Sequence, residues 1–133
     1  MDITESRDDH GICLRITRSL DLTNCTDLER AFQTLFDENE EPIWIDVSRL
    51  ASVDSAGLTL LLRWHRRALA RERRFALVHT SAYHRKLLEI TRLNQVLMVF
   101  DHPGGQRIVP DPLRGLARRA TEPAETELAL IEE

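Results

Sequence analysis

After Pro42 the chain reads Ile43-Trp44-Ile45-Asp46-Val47, a run of β-branched and aromatic residues with a single polar position. Such a run fits a strand buried on both faces, as in the middle of a parallel sheet. A short spacer leads to Asp54-Ser55-Ala56-Gly57-Leu58, where a helix begins. A strand that feeds a helix through a short loop restricts the fold to an α/β class with right-handed crossovers.

The flanking pattern extends this reading. Residues 3–7 form a weak strand, Asp8-Asp9-His10-Gly11 a hairpin turn, and residues 12–17 the returning strand with Ile12, Leu14 and Ile16 on one face. Residues 18–24 read as a loop. Thr26 and Glu29 then match a capping box, and Leu28, Phe32, Leu35 and Phe36 form one apolar helical stripe. Pro42 is a stop signal. In the helix starting near Ser55, Leu58, Leu61, Leu62, His65 and Leu69 are predicted to line the inner face. Residues 75–79 form the next strand. Thr80 or Ser81 caps a third helix whose apolar positions are Tyr83, Leu87, Leu88 and Ile90, and residues 96–100 form a last strand. The expectation is a mixed sheet of four to five strands, opened by a hairpin, with helices alternating with strands. Residues 1–102 are assigned to one domain. Residues 103–133, broken by Pro103, Gly104, Gly105, Pro110, Pro112 and Gly115, form a C-terminal segment with an acidic tail for which partial disorder is expected.

Composition narrows function by exclusion. The chain has 133 residues and a formal net charge of −4, which argues against general nucleic-acid binding. The charge is uneven: residues 1–41 carry eleven acids and four bases, whereas residues 63–74 carry six arginines and one glutamate. No run of about 18 apolar residues predicts a membrane span, and the acidic start lacks the form of a secretion signal, so a cytoplasmic protein is expected. Cys13 and Cys25 read as reduced thiols.

Ser55 sits where a helix has unpaired N–H donors and the positive end of its dipole. A hydrolase would need a general base beside it. Val53 stands where the Gly-x-Ser-x-Gly elbow needs glycine, and none of His10, His65, His79, His84 and His102 has a sequence-level claim on Ser55. His79 and His84 have a zinc-like spacing but no second ligand pair, and read as surface histidines. No phosphate-cradling loop is present, and Lys86 is the sole lysine. Arg71-Glu72-Arg73-Arg74 reads as a solvated helix end. Helix physics leaves Ser55 as an ordinary N-cap or a phosphoacceptor.

Residues 43–100 resemble the STAS domain, in particular the bacterial anti-sigma-factor antagonists. The resemblance rests on Ile45-Asp46-Val47-Ser48, on Val53-Asp54-Ser55-Ala56-Gly57-Leu58 with Leu61, on Ala76-Leu77-Val78, and on the helix running from Arg85 to Leu93. Leu20-Asp21 and the helix from Leu28 to Phe36 extend it to about residues 8–100. It implies a binding module with no cofactor or metal of its own and no catalytic residues. Unphosphorylated, such a module docks on an anti-sigma factor that is also a serine kinase and supplies the ATP. Docking releases a sigma factor, and transcription follows. Phosphorylation of the serine after the motif aspartate, here Ser55, ends the interaction, and a serine phosphatase reverses the mark. The resemblance places Asp21, Asp54, Ser55, Ala56, Gly57 and Leu58 at the docking surface. Ala56 replaces a second hydroxyl residue common in the family, so Ser55 is the only hydroxyl within Asp54–Gly57; Ser48 and Ser52 lie nearby. The alternative is a STAS subunit regulating a membrane-associated transport ATPase. A nucleotide- or lipid-sensing module ranks third and an enzyme last.

Overall fold

The apolar run after Pro42 occupies the middle of the molecule. In the computed structural model, which describes residues 3–108, it forms a strand whose four residues Ile43–Asp46 are all buried. In chain order the elements are β1 (Ile3–Asp8), β2 (Gly11–Ile16), β3 (Arg18–Leu20), α1 (Cys25–Glu38), β4 (Ile43–Asp46), β5 (Leu50–Val53), α2 (Ser55–Ala70), β6 (Phe75–Val78), α3 (Ala82–Ile90) and β7 (Met98–Phe100), with a short 3₁₀ turn at Leu93–Gln95 before β7. Strands β1-β2-β4-β6-β7 make a five-stranded sheet in that order. The β1–β2 hairpin is antiparallel, and β2–β4, β4–β6 and β6–β7 are parallel. This is the mixed sheet with an opening hairpin that the sequence implies.

Each central strand divides its side chains between two faces, as the two-residue period of a strand requires. Ile12, Leu14, Ile16, Ile43, Ile45, Phe75 and Leu77 join the main core with Leu28, Phe32, Leu35 and Phe36 of α1 and Leu60, Leu61, Trp64 and Ala68 of α2. Trp64 lies 4.8 Å from the Phe36 ring and 5.6 Å from the Phe32 ring. On the other face Trp44, Ala76, Val78 and Phe100 form a second, smaller cluster. There the Trp44 indole N–H donates to His10 O at 2.7 Å, which pins the hairpin turn to β4.

Asp46 shares that second face. Arg15 Nε donates to its carboxylate at 3.1 Å and Ser48 N–H at 2.9 Å. Burial pushes the Asp46 carboxyl up, but the Ser48 side-chain and backbone bonds and the Arg15 bond outweigh it, so it titrates below the ordinary carboxylate value. Its stabilising contribution is therefore complete above the unfolded-state value of about 3.9 and fades as pH falls through the lower folded value. Urea midpoints measured between about pH 5 and pH 2 should fall for the parent and fall less for Asp46→Asn.

Several expectations shift. Residues 18–24 are not all loop, and the spacer before Asp54 is not irregular: β3 and β5 pair in parallel as a separate two-stranded ribbon. These strands are short and partly polar, and they exist because they pair with each other. The capping box at Thr26 does not form: α1 begins two residues after Asp21-Leu22-Thr23 with Asn24 at the N-cap, and the Asn24 side chain is turned away to Ser19 O. The inner face of α2 is rotated from the predicted stripe. Leu60, Trp64 and Ala68 join Leu61 and His65 as buried residues, whereas Leu69 is exposed and Leu58 and Leu62 are half-buried. In α3 the buried positions are His84 and Leu88, and Tyr83 and Ile90 are exposed.

Arg73 and His84 are not surface residues. Arg73 is buried between α1 and β6, where it donates to Glu41 O at 2.6 Å, Asn39 O at 2.9 Å, Leu35 O at 3.2 Å and Asn39 Oδ1 at 2.6 Å. His84 Nε2–H donates to Leu50 O at 2.8 Å, and its Nδ1 accepts from Ser81 N–H at 3.1 Å. It thereby ties the cap of α3 to the start of β5. After β7 the chain turns back: Ile108 N–H donates to Val99 O at 2.7 Å, and Ile108 packs against the main core. The rest of the 103–133 segment, including the acidic tail for which partial disorder is expected, lies outside the described residues.

Candidate functional site

Ser55 is the first residue of α2, and Asp54 is its N-cap. Asp54 has extended backbone angles, and its Oδ1 accepts from Gly57 N–H at 3.0 Å, the usual way an aspartate satisfies an orphan donor at a helix start. Its Oδ2 accepts from Leu22 N–H at 3.3 Å, and its own N–H donates to Leu20 O at 3.1 Å. One carboxylate thus joins the helix start to the loop after β3. Asp54 is occupied by this work, and Ser55 beside it is exposed.

The loop from Asp21 to Asn24 is fixed by its own side chains. Asp21 Oδ1 accepts from Thr23 N–H at 2.9 Å and from the Thr23 hydroxyl, and Asn24 Oδ1 accepts from Asp21 N–H at 2.9 Å. The bonds from the Thr23 hydroxyl and N–H hold the Asp21 carboxyl below the usual carboxylate range. Leu22 is left 77% exposed at the tip of this turn.

Gly57 allows the two segments to approach. A Cβ at this position would lie 2.5 Å from Leu20 O and 2.7 Å from Leu20 Cγ. Gly57→Ala would gain about 1 kcal/mol in helix propensity, but the carbonyl in the way is backbone and cannot rotate aside. Overpacking of this kind costs about 1–3 kcal/mol. A net loss of stability is expected in denaturant melts, with the Asp21–Asn24 loop displaced from the start of α2.

Leu22, Cys25, Glu29, Ser55, Ala56, Thr59, Leu60 and Arg63 line an open groove of about 320 Å³ between this loop, α1 and α2. Its lining mixes apolar residues (Leu22, Cys25, Ala56, Leu60) with polar ones. Toward the far end Arg63 Nη1 donates to Glu29 Oε1 at 2.6 Å, and Thr59 Oγ1 donates to Ser55 O at 2.8 Å. Of the six residues singled out in the sequence, Ser55 and Ala56 line the groove, whereas Asp21, Asp54, Gly57 and Leu58 are outside its lining, Gly57 buried and Leu58 packed on the core. Leu22, Cys25, Glu29, Thr59, Leu60 and Arg63 were missed. A signal existed for Thr59 and Arg63, which follow Ser55 at helical intervals of four residues. Leu22 and Glu29 reach the groove through the packing of α1 and β3 against α2.

The groove lining contains no histidine. Burial pushes the Cys25 thiol up, and the carboxylates of Asp54, Asp21 and Glu29 raise it further, so it stays protonated at neutral pH. His65 lies on the buried side of α2 near Phe75. Among the described residues no group of three His, Cys, Asp or Glu side chains could hold a metal ion, and no helix is long and apolar enough to cross a membrane.

The fold and the groove define a small mixed α/β module that presents a serine at a helix start. The chain belongs to the STAS-domain family: the family model described as Mlab, STAS domain matches residues 3–99. The fold is shared with an anti-sigma factor antagonist from Mycobacterium paratuberculosis (TM-score 0.66, 20% identity, 75% of this chain and 85% of that one). It is also shared with the Bacillus cell fate determinant SpoIIAA in its phosphorylated form (TM-score 0.58, 19% identity, 87% and 97% covered). A sulfate transporter family protein from Wolinella succinogenes is similar too (TM-score 0.62, 15% identity, 73% and 81% covered). No curated protein sequence matches the chain.

Proposed function

We propose that this chain is a cytoplasmic anti-sigma factor antagonist, a regulatory binding module and not an enzyme. Unphosphorylated, it docks on an anti-sigma factor serine kinase and frees a sigma factor. The kinase, which holds the ATP, phosphorylates Ser55. In that step a bond forms between Ser55 Oγ and the γ-phosphorus, the bond from that phosphorus to the bridging oxygen of ADP breaks, and the hydroxyl proton passes to a base on the kinase. A serine phosphatase restores the hydroxyl. The observation that carries this reading is the exposed Ser55 on the rim of an open groove, with Asp54 beside it engaged by two backbone N–H groups. The fold shared with an anti-sigma factor antagonist and with SpoIIAA in its phosphorylated form supports it.

The test is intact-mass measurement after incubation with serine kinases encoded in the same genome. A gain of one phosphate by the parent and none by Ser55→Ala is expected. Modification that persists in Ser55→Ala would move the site elsewhere, to the exposed Thr59, Ser52 or Ser48. The second reading is a STAS subunit regulating a membrane-associated transport ATPase, favoured by the fold shared with a sulfate transporter family protein. Co-purification with such an ATPase, with no kinase acting on Ser55, would decide for it.

A further inference from the structure

We propose that Arg63 is the receptor for a phosphate on Ser55, and that phosphorylation draws its guanidinium away from Glu29. The inference rests on the phosphoacceptor reading of Ser55 given above. Ser55 and Arg63 line the same groove from the same helix. They are eight residues apart, about 2.2 turns and about 12 Å along the axis. Helical side chains lean toward the N-terminus, so Arg63 leans toward Ser55 while a group on Ser55 leans away, and the long arginine arm must supply the reach.

The present partner of Arg63 is a weak competitor. Its bond to Glu29 Oε1 is short at 2.6 Å, but both side chains are more than two-fifths exposed, and exposed pairs contribute little net stability. A phosphate carries about −1.5 to −2 charge, against one for the carboxylate, and offers the paired oxygens that a guanidinium fork binds. Thr59, between the two on the helix, has its hydroxyl proton engaged with Ser55 O.

The exchange alters the whole groove. Before phosphorylation its charged end is a neutral Arg63–Glu29 pair. Afterwards Arg63 neutralises part of the phosphate and Glu29 is bare, so both ends of the groove carry negative charge. A partner residue docked at either end then meets the change, including one that never touches Ser55.

The experiment uses the full chain with phosphoserine installed genetically at position 55, so that no kinase is required. A phosphorus NMR titration reads the second ionisation of the phosphate. The parent should bind this proton about threefold to tenfold more weakly than Arg63→Gln, because the guanidinium favours the dianion. Arg63→Lys should fall between them, and Glu29→Gln should weaken proton binding beyond the parent by releasing Arg63. Equal titration in the parent and Arg63→Gln would overturn the proposal and leave the phosphate to the helix N-terminus alone. A missing kinase would show in the intact-mass experiment, not in this titration, so the two failures are separable.

Discussion

Ser55→Asp is expected to bind the proposed serine kinase at least about a hundredfold more weakly than the parent, a change of about 3 kcal/mol. Its melting temperature should stay near that of the parent. The two parts follow from where the charge sits. In the free protein position 55 is exposed at the first turn of α2, where a carboxylate meets the positive end of the helix dipole and is stabilised by about 0.3–1 kcal/mol. In the complex the same carboxylate must lose water against the partner surface, without a compensating cation unless the partner supplies one. Titration calorimetry paired with a thermal melt separates the two. Undiminished binding would overturn the electrostatic account of the switch. A large fall in melting temperature would instead mean that the variant acts through the fold.

The second large effect lies far from the groove. Arg73→Ala should destabilise the protein by about 3 kcal/mol, since it removes several charge-assisted hydrogen bonds and leaves buried carbonyls unpaired. The guanidinium accepts the role that a C-terminal cap usually fills, collecting Leu35 O, Asn39 O and Glu41 O at the end of α1 while stacking 4.8 Å from the Phe36 ring. Burial lowers the pKa of Arg73, yet the carbonyl set keeps the charge useful. For a domain of this size the loss corresponds to a fall of about 12–24 °C in melting temperature. Arg73→Lys should recover only part of it, because one ammonium cannot span carbonyls arranged for a fork. Arg74, exposed one residue later, serves as the control: Arg74→Ala should change stability far less.

Arg73 also shows where reading the sequence runs out. Within Arg71-Glu72-Arg73-Arg74 the three arginines are alike in composition, and only the end of α1, some 35 residues earlier in the chain, selects the middle one for burial. The error at Thr26 is of the same kind. Thr26 and Glu29 satisfy the local capping pattern, but the Asp21-Thr23-Asn24 turn starts α1 earlier and takes over the cap. Strands β3 and β5 have too few residues and too little apolar alternation to announce themselves, and each forms because the other is there.

By itself the sequence determined the order of most of the elements, the two-faced burial of β4, the apolar stripe of α1 and the position of Ser55 at a helix start. These are local properties, written in periodicity, β-branching and capping chemistry within a few residues. Only the tertiary structure decided that the Asp21–Leu22 loop lies against Asp54, that Gly57 sits under Leu20 O, that His84 holds β5, and that Arg63 and Glu29 share a groove with Ser55. Those facts depend on close packing between segments distant in the chain, where a shift of an ångström decides which groups meet.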